Sequence, residues 1–249
     1  MEHSNKINSF SKAVLLFLVI GILLSISVLY ACQFGDEKII FKEINPKKEM
    51  ILMNWKDAKG KPIRSLEQLI NYHHQKSFKT ILAMNGGMYT RDLNPQGLYI
   101  ENHELLAPID TGSGDGNFYL KPNGVFYLTK NKEAAICATE DFKFDSSINF
   151  ATQSGPMLLH NGIIHYEFKK GSVNVHIRNG VGILPDKSVI FAISSTPINL
   201  YDFAEFFQSK GCKEALYLDG FVSRMYLPEK NYAQIDGNFG VMISVVKPQ

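Results

Sequence analysis

The chain has 249 residues, of which 45% are hydrophobic and 20% are charged, and its formal net charge at pH 7 is +2. These proportions are typical of a folded globular protein and exclude a wholly disordered chain. A net charge so close to zero argues against a protein that holds nucleic acid mainly by neutralising phosphates. The 3 cysteines form no CxxC pair, which excludes a disulfide-dense scaffold and a cysteine-rich zinc module.

Residues 1–31 predict an export signal or a membrane anchor, separate from the folded domain. Lys6 and Lys12 precede an uncharged apolar run over residues 13–31, which is just long enough to span a bilayer. The run ends in Leu-Tyr-Ala-Cys, which resembles a bacterial lipobox with lipidation at Cys32. A lipoprotein, an uncleaved anchor and ordinary secretion all remain open. Each of them places the domain outside the cytoplasm, in or beyond the cell envelope.

Export would leave Cys137 and Cys212 in a compartment that can be oxidising, where they could pair. The alternative is two separate buried thiols. We favour the separate thiols, because both residues lie in apolar segments and buried cysteine usually behaves as a small hydrophobe.

Residues 38–249 predict one strand-rich α+β domain with two helices, and show no internal repeat or linker. Ser65 is expected to cap the first helix, and the second helix is expected to span residues 199–210 and end at Gly211. Turn-forming pairs such as Asn-Gly and Pro-Asp separate the predicted strands, and residues 118–120 and 125–128 are expected to pair as a hairpin. Apolar or alternating segments predict strands at 38–42, 50–55, 80–84, 98–100, 118–120, 125–128, 135–137, 157–159, 163–164, 181–184, 189–193, 214–218 and 241–246.

Four predicted strand ends carry polar residues beside glycine, at residues 84–89, 153–156, 176–182 and 216–220. Glycine allows a ligand to approach the backbone closely, and sites are often built at strand ends. One such segment taken singly is more often a plain turn. Here the pattern recurs with one Asn, one Ser, one Arg and one Asp, which favours a shared site.

In order along the chain, the motifs NGGMY, GLY, KPNGVFY, QSGPML, IRNGVG and LYLDG resemble the phosphodiester glycosidase family, over residues 81–245. The resemblance implies a hydrolase that needs no cofactor and acts on a glycan or sugar-phosphodiester substrate. Bacterial members of that family are often exported, which agrees with the N-terminal segment. The chain departs from the family pattern at residues 221–224. There Phe221 and Arg224 would narrow the substrate pocket or change its charge.

The resemblance assigns the catalytic roles to Asp219, Arg178 and Asn85. Such chemistry needs a cation beside the phosphate, and Arg178 offers a planar pair of donors. It also needs a carboxylate to steady an oxocarbenium-like centre or to act as base or nucleophile, and Asp219 is the first choice. Structural alternatives remain: Arg178 pairing with a structural acid, and Asp219 capping its own turn.

Glycosidases usually use two carboxylates. Asp115, Glu101 and Asp110 are the candidates for the second, and the sequence does not choose among them. The residues predicted to bind substrate are Gly86, Gly87, Gln153, Ser154, Gly155, His176, Lys121, Asp115, Gly220, Ser223 and Arg224.

No metal site is expected. The Asp- and Gly-rich loop at residues 110–117 has glycines where a calcium loop needs oxygen ligands, so it is interpreted as a flexible loop near the site. His73 and His74 are adjacent on a predicted helix and face different ways. His160 and His165 flank a hairpin turn and are expected at the surface.

The leading hypothesis is an exported, membrane-attached hydrolase that cleaves sugar-1-phosphodiester bonds of envelope or exogenous glycans. A second hypothesis is a non-catalytic binder of phosphodiester-linked envelope glycans, favoured by the altered segment after Asp219. A third is a structural envelope lipoprotein, favoured by the anchor alone.

Overall fold

The computed structural model describes residues 38–219 and 222–249, and these form three antiparallel sheets and two α-helices. The predicted signal or anchor over residues 1–31, the lipidation site Cys32, and the residues Gly220 and Phe221 lie outside the described residues. Within the described part, no helix is both long enough and apolar enough to cross a membrane. The strand-rich α+β prediction is confirmed.

The first sheet has six strands, and labels here follow chain order. They are β1 (Ile39–Ile44), β9 (Met157–His160), β10 (Ile163–Ile164), β11 (Asn179–Ile183), β12 (Val189–Ser194) and β13 (Glu214–Tyr217), arranged β1-β12-β11-β13-β9-β10. The strands predicted at 157–159 and 163–164 pair as the β9–β10 hairpin, and those predicted at 181–184 and 189–193 pair as the β11–β12 hairpin. Asn161 and Gly162 both have positive φ in the first of them, as a two-residue turn between twisted strands requires.

The second sheet has five strands, with β3 and β16 at its centre. They are β2 (Met50–Asn54), β3 (Phe78–Asn85), β14 (Met225–Leu227), β15 (Tyr232–Ala233) and β16 (Met242–Pro248), arranged β15-β14-β3-β16-β2. The sequence pattern predicts β2, β3 and β16 but not β14 or β15. Both missed strands are very short, and β14 pairs with β3, a strand far away along the chain.

The third sheet also has five strands. They are β4 (Tyr99–Glu101), β5 (Glu104–Ala107), β6 (Gly124–Thr129), β7 (Ala134–Ala138) and β8 (Ile148–Ser154), arranged β5-β4-β8-β6-β7. The strand predicted at residues 118–120 is wrong: a 3-10 helix spans Asn117–Tyr119. Both edges of β6 are occupied by β7 and β8, so no edge remains for that segment. The Asn123 side chain also donates to the Phe118 carbonyl and holds the turn closed.

The helices begin and end where local chemistry predicts. The first, α1 (Leu66–Gln75), is capped by Ser65, whose Oγ accepts from the Gln68 N–H at 3.2 Å. The second, α2 (Leu200–Ser209), is capped by Asn199 and followed by Gly211 with φ +80°. The apolar face of α1 packs on the second sheet, and that of α2 packs on the first sheet.

One large core lies among the three sheets. Met53 from the second sheet, Phe126 from the third and Phe191 from the first are fully buried in it, and each such side chain contributes about 1.5–3 kcal/mol by leaving water. Cys137 and Cys212 are both free thiols, which confirms the unpaired alternative, although only Cys212 is buried and Cys137 is half-buried. Burial raises the pKa of Cys137 to about 11 and that of Cys212 to about 12.

Candidate active site

The predicted segments of the site converge where strands of different sheets meet. The Asn179 side chain, at the start of β11, donates to the carbonyl of Asn85 at 2.9 Å and to its Oδ1 at 3.0 Å. The Asp219 N–H, just beyond β13, donates to the Gly86 carbonyl at 3.2 Å. The first and second sheets are therefore joined at this point by side chains and backbone of the predicted motifs.

The predicted segment at residues 153–156, at the end of β8, reaches the same point from the third sheet. The Tyr217 N–H donates to the Pro156 carbonyl at 3.1 Å. Gly87 packs so closely on β8 that a Cβ there would overlap Thr152 Oγ1 and the Gln153 carbonyl. Only glycine fits this close approach, which explains the second glycine of the Asn-Gly-Gly turn.

Asn85 is fully buried, and its amide organises the backbone around it. Its Nδ2 donates to the Asp219 carbonyl at 2.7 Å, and its Oδ1 accepts from the Arg224 N–H at 2.9 Å. Ser223 Oγ extends the network by donating to Asn179 Oδ1 at 3.2 Å. These contacts give Asn85 the geometry of a positioning residue for Asp219. Its catalytic role remains a prediction.

Arg178 is only 2% exposed and carries its charge into the interior. Its Nε donates to the Ile198 carbonyl at 2.7 Å, and its Nη2 donates to the carbonyl and Oδ1 of Asn174 at 3.0 and 3.1 Å. Its Nη1 donates to the Tyr217 hydroxyl at 3.0 Å. All of these acceptors are neutral, and among residues 38–219 and 222–249 no carboxylate pairs with the guanidinium. One Nη1 hydrogen has no acceptor in the same part of the chain, so the buried cation is suited to an anionic ligand.

The Tyr217 phenol lies in the field of both predicted catalytic charges. Burial raises the pKa of Tyr217, the hydrogen-bonded Arg178 guanidinium opposes that increase, and the Asp219 charge adds to it. A second phenol, Tyr89, has its pKa raised to about 12 by burial and by the charge of Asp219. Sequence reasoning missed both tyrosines, although each stands inside a quoted motif, NGGMY or LYLDG.

Gln153 and Ser154 are neighbours at the end of β8 but differ in their hydrogen bonds. Gln153 Oε1 accepts from the N–H groups of Leu98 and Asp110, and its Nε2 donates to the Asp110 carbonyl and to Thr139 Oγ1. Gln153 therefore fixes surrounding loops. Ser154 Oγ is fully buried and has no partner, the one such side-chain atom within the described residues. An unsatisfied buried hydroxyl costs free energy, so a ligand contact would explain it.

The family model of the phosphodiester glycosidases matches residues 78–242, which is more than half of the chain. This chain belongs to the phosphodiester glycosidase family. It is 38% identical over 199 residues to the uncharacterized protein YigE of Escherichia coli strain K12, and the match covers 79% of this chain and 78% of that protein.

Two solved structures share the fold. The catalytic domain of zebrafish N-acetylglucosamine-1-phosphodiester alpha-N-acetylglucosaminidase, auto-inhibited by its pro-peptide, aligns with a TM-score of 0.58 and 15% identity, over 83% of this chain and 81% of that one. A putative exported protein of Burkholderia pseudomallei aligns with a TM-score of 0.55 and 10% identity, over 83% of this chain and 73% of that one. At these identities the likeness shows the fold.

Of the candidates for a second carboxylate in this phosphodiester glycosidase, Glu101 lies away from the strand ends. Tyr99 pairs with Thr152 across the antiparallel β4–β8 ladder, so Glu101 lies further from Ser154 along β8. Its Oε2 accepts from the Tyr99 hydroxyl at 2.7 Å. Burial raises the pKa of Glu101, and the Tyr99 hydrogen bond opposes the increase.

The other two candidates lie on the loop over residues 110–117. The Asp110 backbone contacts the Gln153 side chain of β8, but its carboxylate accepts from the Tyr119 hydroxyl at 3.0 Å and from the Gly112 N–H at 2.8 Å. Asp115 is exposed. No group of three or more potential metal-ligating side chains occurs in the described ranges.

Among the described residues, the side chains of His176, Lys121 and Arg224 make none of the hydrogen bonds that join the strand ends, although the Arg224 N–H donates to Asn85 Oδ1. His176 is exposed, and Lys121 Nζ donates to the Thr111 carbonyl at 3.2 Å and lies 3.5 Å from a Glu140 oxygen. Arg224 Nε donates to both carboxylate oxygens of Asp236, at 2.9 and 3.1 Å. Gly155 packs against Asn123, Phe118 and Asn117.

One surface histidine prediction is wrong. His165 is only 6% exposed, and its Nε2 lies 3.0 Å from the Lys121 carbonyl. Its ring also stacks on those of Tyr166 and Phe168. Packing by these aromatic neighbours, which the hairpin pattern did not reveal, accounts for the burial.

Proposed function

We propose that this protein hydrolyses the bond between the anomeric carbon of a sugar and an oxygen of a phosphodiester. Family membership supports phosphodiester glycosidase activity in general. One observation carries the specific proposal: a buried guanidinium, Arg178, and a carboxylate, Asp219, both act on the Tyr217 phenol at the meeting strand ends.

Arg178 supplies the cation that the leaving group needs. When the bond from the anomeric carbon to oxygen breaks, the electron pair stays on the phosphate oxygen and the phosphate gains negative charge. Donors fixed in advance in a low-dielectric site stabilise such developing charge most effectively. The guanidinium is held by Ile198, Asn174 and Tyr217, so it needs no rearrangement during the reaction.

Asp219 supplies the negative charge on the sugar side. A carboxylate can steady an oxocarbenium-like centre, activate water or attack the anomeric carbon. Water provides the hydroxyl that the anomeric carbon gains, and its proton is released to solvent. Because phosphate is already a good leaving group, this scheme needs less acid assistance than cleavage between two sugars, and the second carboxylate is less critical.

We further propose that the protein works outside the cytoplasm, attached to the membrane, on phosphodiester-linked glycans of the envelope or of exogenous origin. The support is the sequence pattern alone: lysines, an apolar run, and Cys32 in a lipobox-like context. Labelling cells with a fatty-acid analogue would test this, since Cys32→Ser should abolish the label if Cys32 is lipidated. A label that persists in Cys32→Ser would contradict lipidation at this residue.

The activity is tested with the full chain in detergent and a panel of sugar-1-phosphodiesters, beginning with α-linked N-acetylglucosamine. The expected result is release of free sugar and a phosphomonoester, identified by NMR. Calorimetry with the same compounds distinguishes a non-catalytic glycan binder from a hydrolase. Tight binding without turnover across the panel would favour a non-catalytic glycan binder and contradict the hydrolase.

A further inference from the structure

Tyr217 carries a hydroxyl group whose donor capacity is unused. The side chain is 2% exposed, and its oxygen accepts from Arg178 Nη1 at 3.0 Å. Within residues 38–219 and 222–249 the hydroxyl hydrogen has no acceptor. A phenol has one hydrogen to donate, and buried polar groups are normally paired.

We propose that Tyr217 is a catalytic residue that donates a hydrogen bond to the departing phosphate oxygen. This inference rests on the proposed function and adds a residue to that site. Tyr217 ends β13, two residues before Asp219, so one strand places the phenol and the carboxylate near the same substrate. Arg178 and Tyr217 then act as a pair, because the guanidinium both binds the phenol oxygen and polarises its O–H bond.

The hydrogen bond from Tyr217 becomes stronger during the reaction, because negative charge develops on the phosphate oxygen. A phosphodiester carries one negative charge, and the phosphate released by cleavage at the anomeric carbon approaches two. A donor aimed at that oxygen is stronger in the transition state than in the ground state, which is the requirement for catalysis. The electron pair of the broken bond remains on the phosphate oxygen, and Tyr217 keeps its own proton throughout.

The surroundings keep the phenol protonated, as a donor must be. Burial raises the pKa of Tyr217 and Asp219 adds to the increase, whereas Arg178 opposes it. The packing fixes the ring, since Tyr217 belongs to the cluster in which α2 packs on the first sheet. The Arg178 guanidinium lies 5.4 Å from the ring centroid, which further limits ring movement.

A matched control exists in the same chain. Tyr99 is also fully buried, and its hydroxyl donates to Glu101 Oε2 at 2.7 Å, away from the strand ends. Tyr217→Phe and Tyr99→Phe each remove one buried hydroxyl while keeping the ring. Any general cost of losing a buried phenol therefore affects both variants.

The test compares two substrates that share a sugar but differ in the alcohol on the phosphate, methyl and 4-nitrophenyl. The methyl compound releases the more basic phosphate and needs the donor more. Tyr217→Phe should lower kcat for the methyl substrate by about 100-fold with little change in KM, as loss of one transition-state donor does. It should lower kcat less for the nitrophenyl substrate, and Tyr99→Phe should affect both substrates equally and weakly. An equal loss on both substrates in Tyr217→Phe would overturn the proposal, because a merely structural role does not depend on the leaving group.

A second arm separates this inference from the proposed function. If the unmodified chain turns over no substrate, the proposed function fails. Titration of the full chain with inorganic phosphate at pH 8 then decides the role of Tyr217. Binding that weakens about 10-fold in Tyr217→Phe but not in Tyr99→Phe supports a phosphate donor, in line with a lost charge-assisted hydrogen bond. Equal binding by both variants, or no binding by the unmodified chain, overturns it.

Discussion

Two buried polar clusters in this protein use similar side chains but differ in how completely their donors and acceptors are hydrogen-bonded. The helix cluster consists of His73 on α1 with Asn54, Thr80 and Ser244 of the second sheet. Because Asn54 Oδ1 only accepts, His73 Nε2 donates to it at 3.2 Å, and His73 Nδ1 accepts from the Thr80 hydroxyl at 3.0 Å. Both ring nitrogens of His73 are satisfied by the protein itself.

The strand-end cluster consists of Asn85, Asn179, Arg178, Ser154 and Tyr217. Its two asparagines are satisfied, but Ser154 Oγ, one Nη1 hydrogen of Arg178 and the Tyr217 hydroxyl hydrogen have no partner within the described ranges. Donors left over in this way lower stability and provide binding capacity. The helix cluster can therefore only stabilise the fold, whereas the strand-end cluster is organised to receive a ligand.

The largest expected effect comes from removing the negative charge of Asp219, whose carbonyl accepts from Asn85 of the strand-end cluster. Asp219→Asn should lower kcat/KM on an active sugar-1-phosphodiester by about 1,000-fold, because the sugar side of the transition state loses its carboxylate. Steady-state kinetics of the full chain measures this. Asp186→Asn, in the β11–β12 turn, is the matched control and should keep full activity. Undiminished turnover by a folded Asp219→Asn would remove Asp219 from the mechanism.

The next effect concerns the satisfied part of the same cluster. Asn85→Ala should destabilise the protein by about 3 kcal/mol, since it removes the acceptor of one Asn179 Nδ2 hydrogen and of the Arg224 N–H, and also the donor to the Asp219 carbonyl. Chemical denaturation measures the change. Asn131→Ala, at an exposed position, should cost less than about 0.5 kcal/mol. Equal costs for the two variants would show that the Asn85 network contributes little.

The helix cluster should make stability depend on pH. Burial lowers the pKa of His73 from 6.5 to about 4, so the unfolded chain binds a proton more readily than the folded chain. This contribution is fully present above pH 6.5 and is lost as the pH falls from 6.5 to 4, by about 3 kcal/mol in total. Denaturation curves across this range measure the slope, to which His165 adds because burial also lowers its pKa. The slope should decrease in His73→Gln, and an unchanged slope would contradict this assignment.

The smallest effect comes from removing one hydroxyl of the helix cluster. Thr80→Val keeps the shape but leaves His73 Nδ1 buried without a donor, which should cost about 1–2 kcal/mol. Thermal unfolding measures the cost, and activity should not change. A Thr80→Val protein as stable as the unmodified chain would mean that the His73–Thr80 hydrogen bond has no net value.

The sequence predicted the features that depend on neighbouring residues. Ser65 caps its helix, and Asn161 and Gly162 form their turn, because the partners lie a few residues away. The segment at residues 118–120 looked like a strand but found no free edge, and that depends on β7 and β8. For this segment, strand pairing between distant parts of the chain overrode the local sequence pattern.

The same distinction applies to the site. The segments that converge were predicted from their composition and from the family resemblance. Which side chains keep unused donors was not predictable, because it depends on contacts between sheets. Gln153 and Ser154 are adjacent, yet within the described residues the Gln153 side chain makes four hydrogen bonds and the Ser154 side chain makes none. No sequence pattern indicated a role for Tyr217, because that role depends on the contact of its hydroxyl with Arg178.

The most direct measurement of the central claim is to determine activity and stability together for Ser154→Ala. The account predicts that kcat/KM falls at least about 10-fold while the free energy of unfolding stays equal or rises slightly, because the lost hydroxyl has no partner among residues 38–219 and 222–249. A Ser154→Ala protein with full activity, or one that loses stability as Thr80→Val does, would contradict it. Either result would mean that the unused donors at the strand ends contribute to the fold rather than to substrate binding.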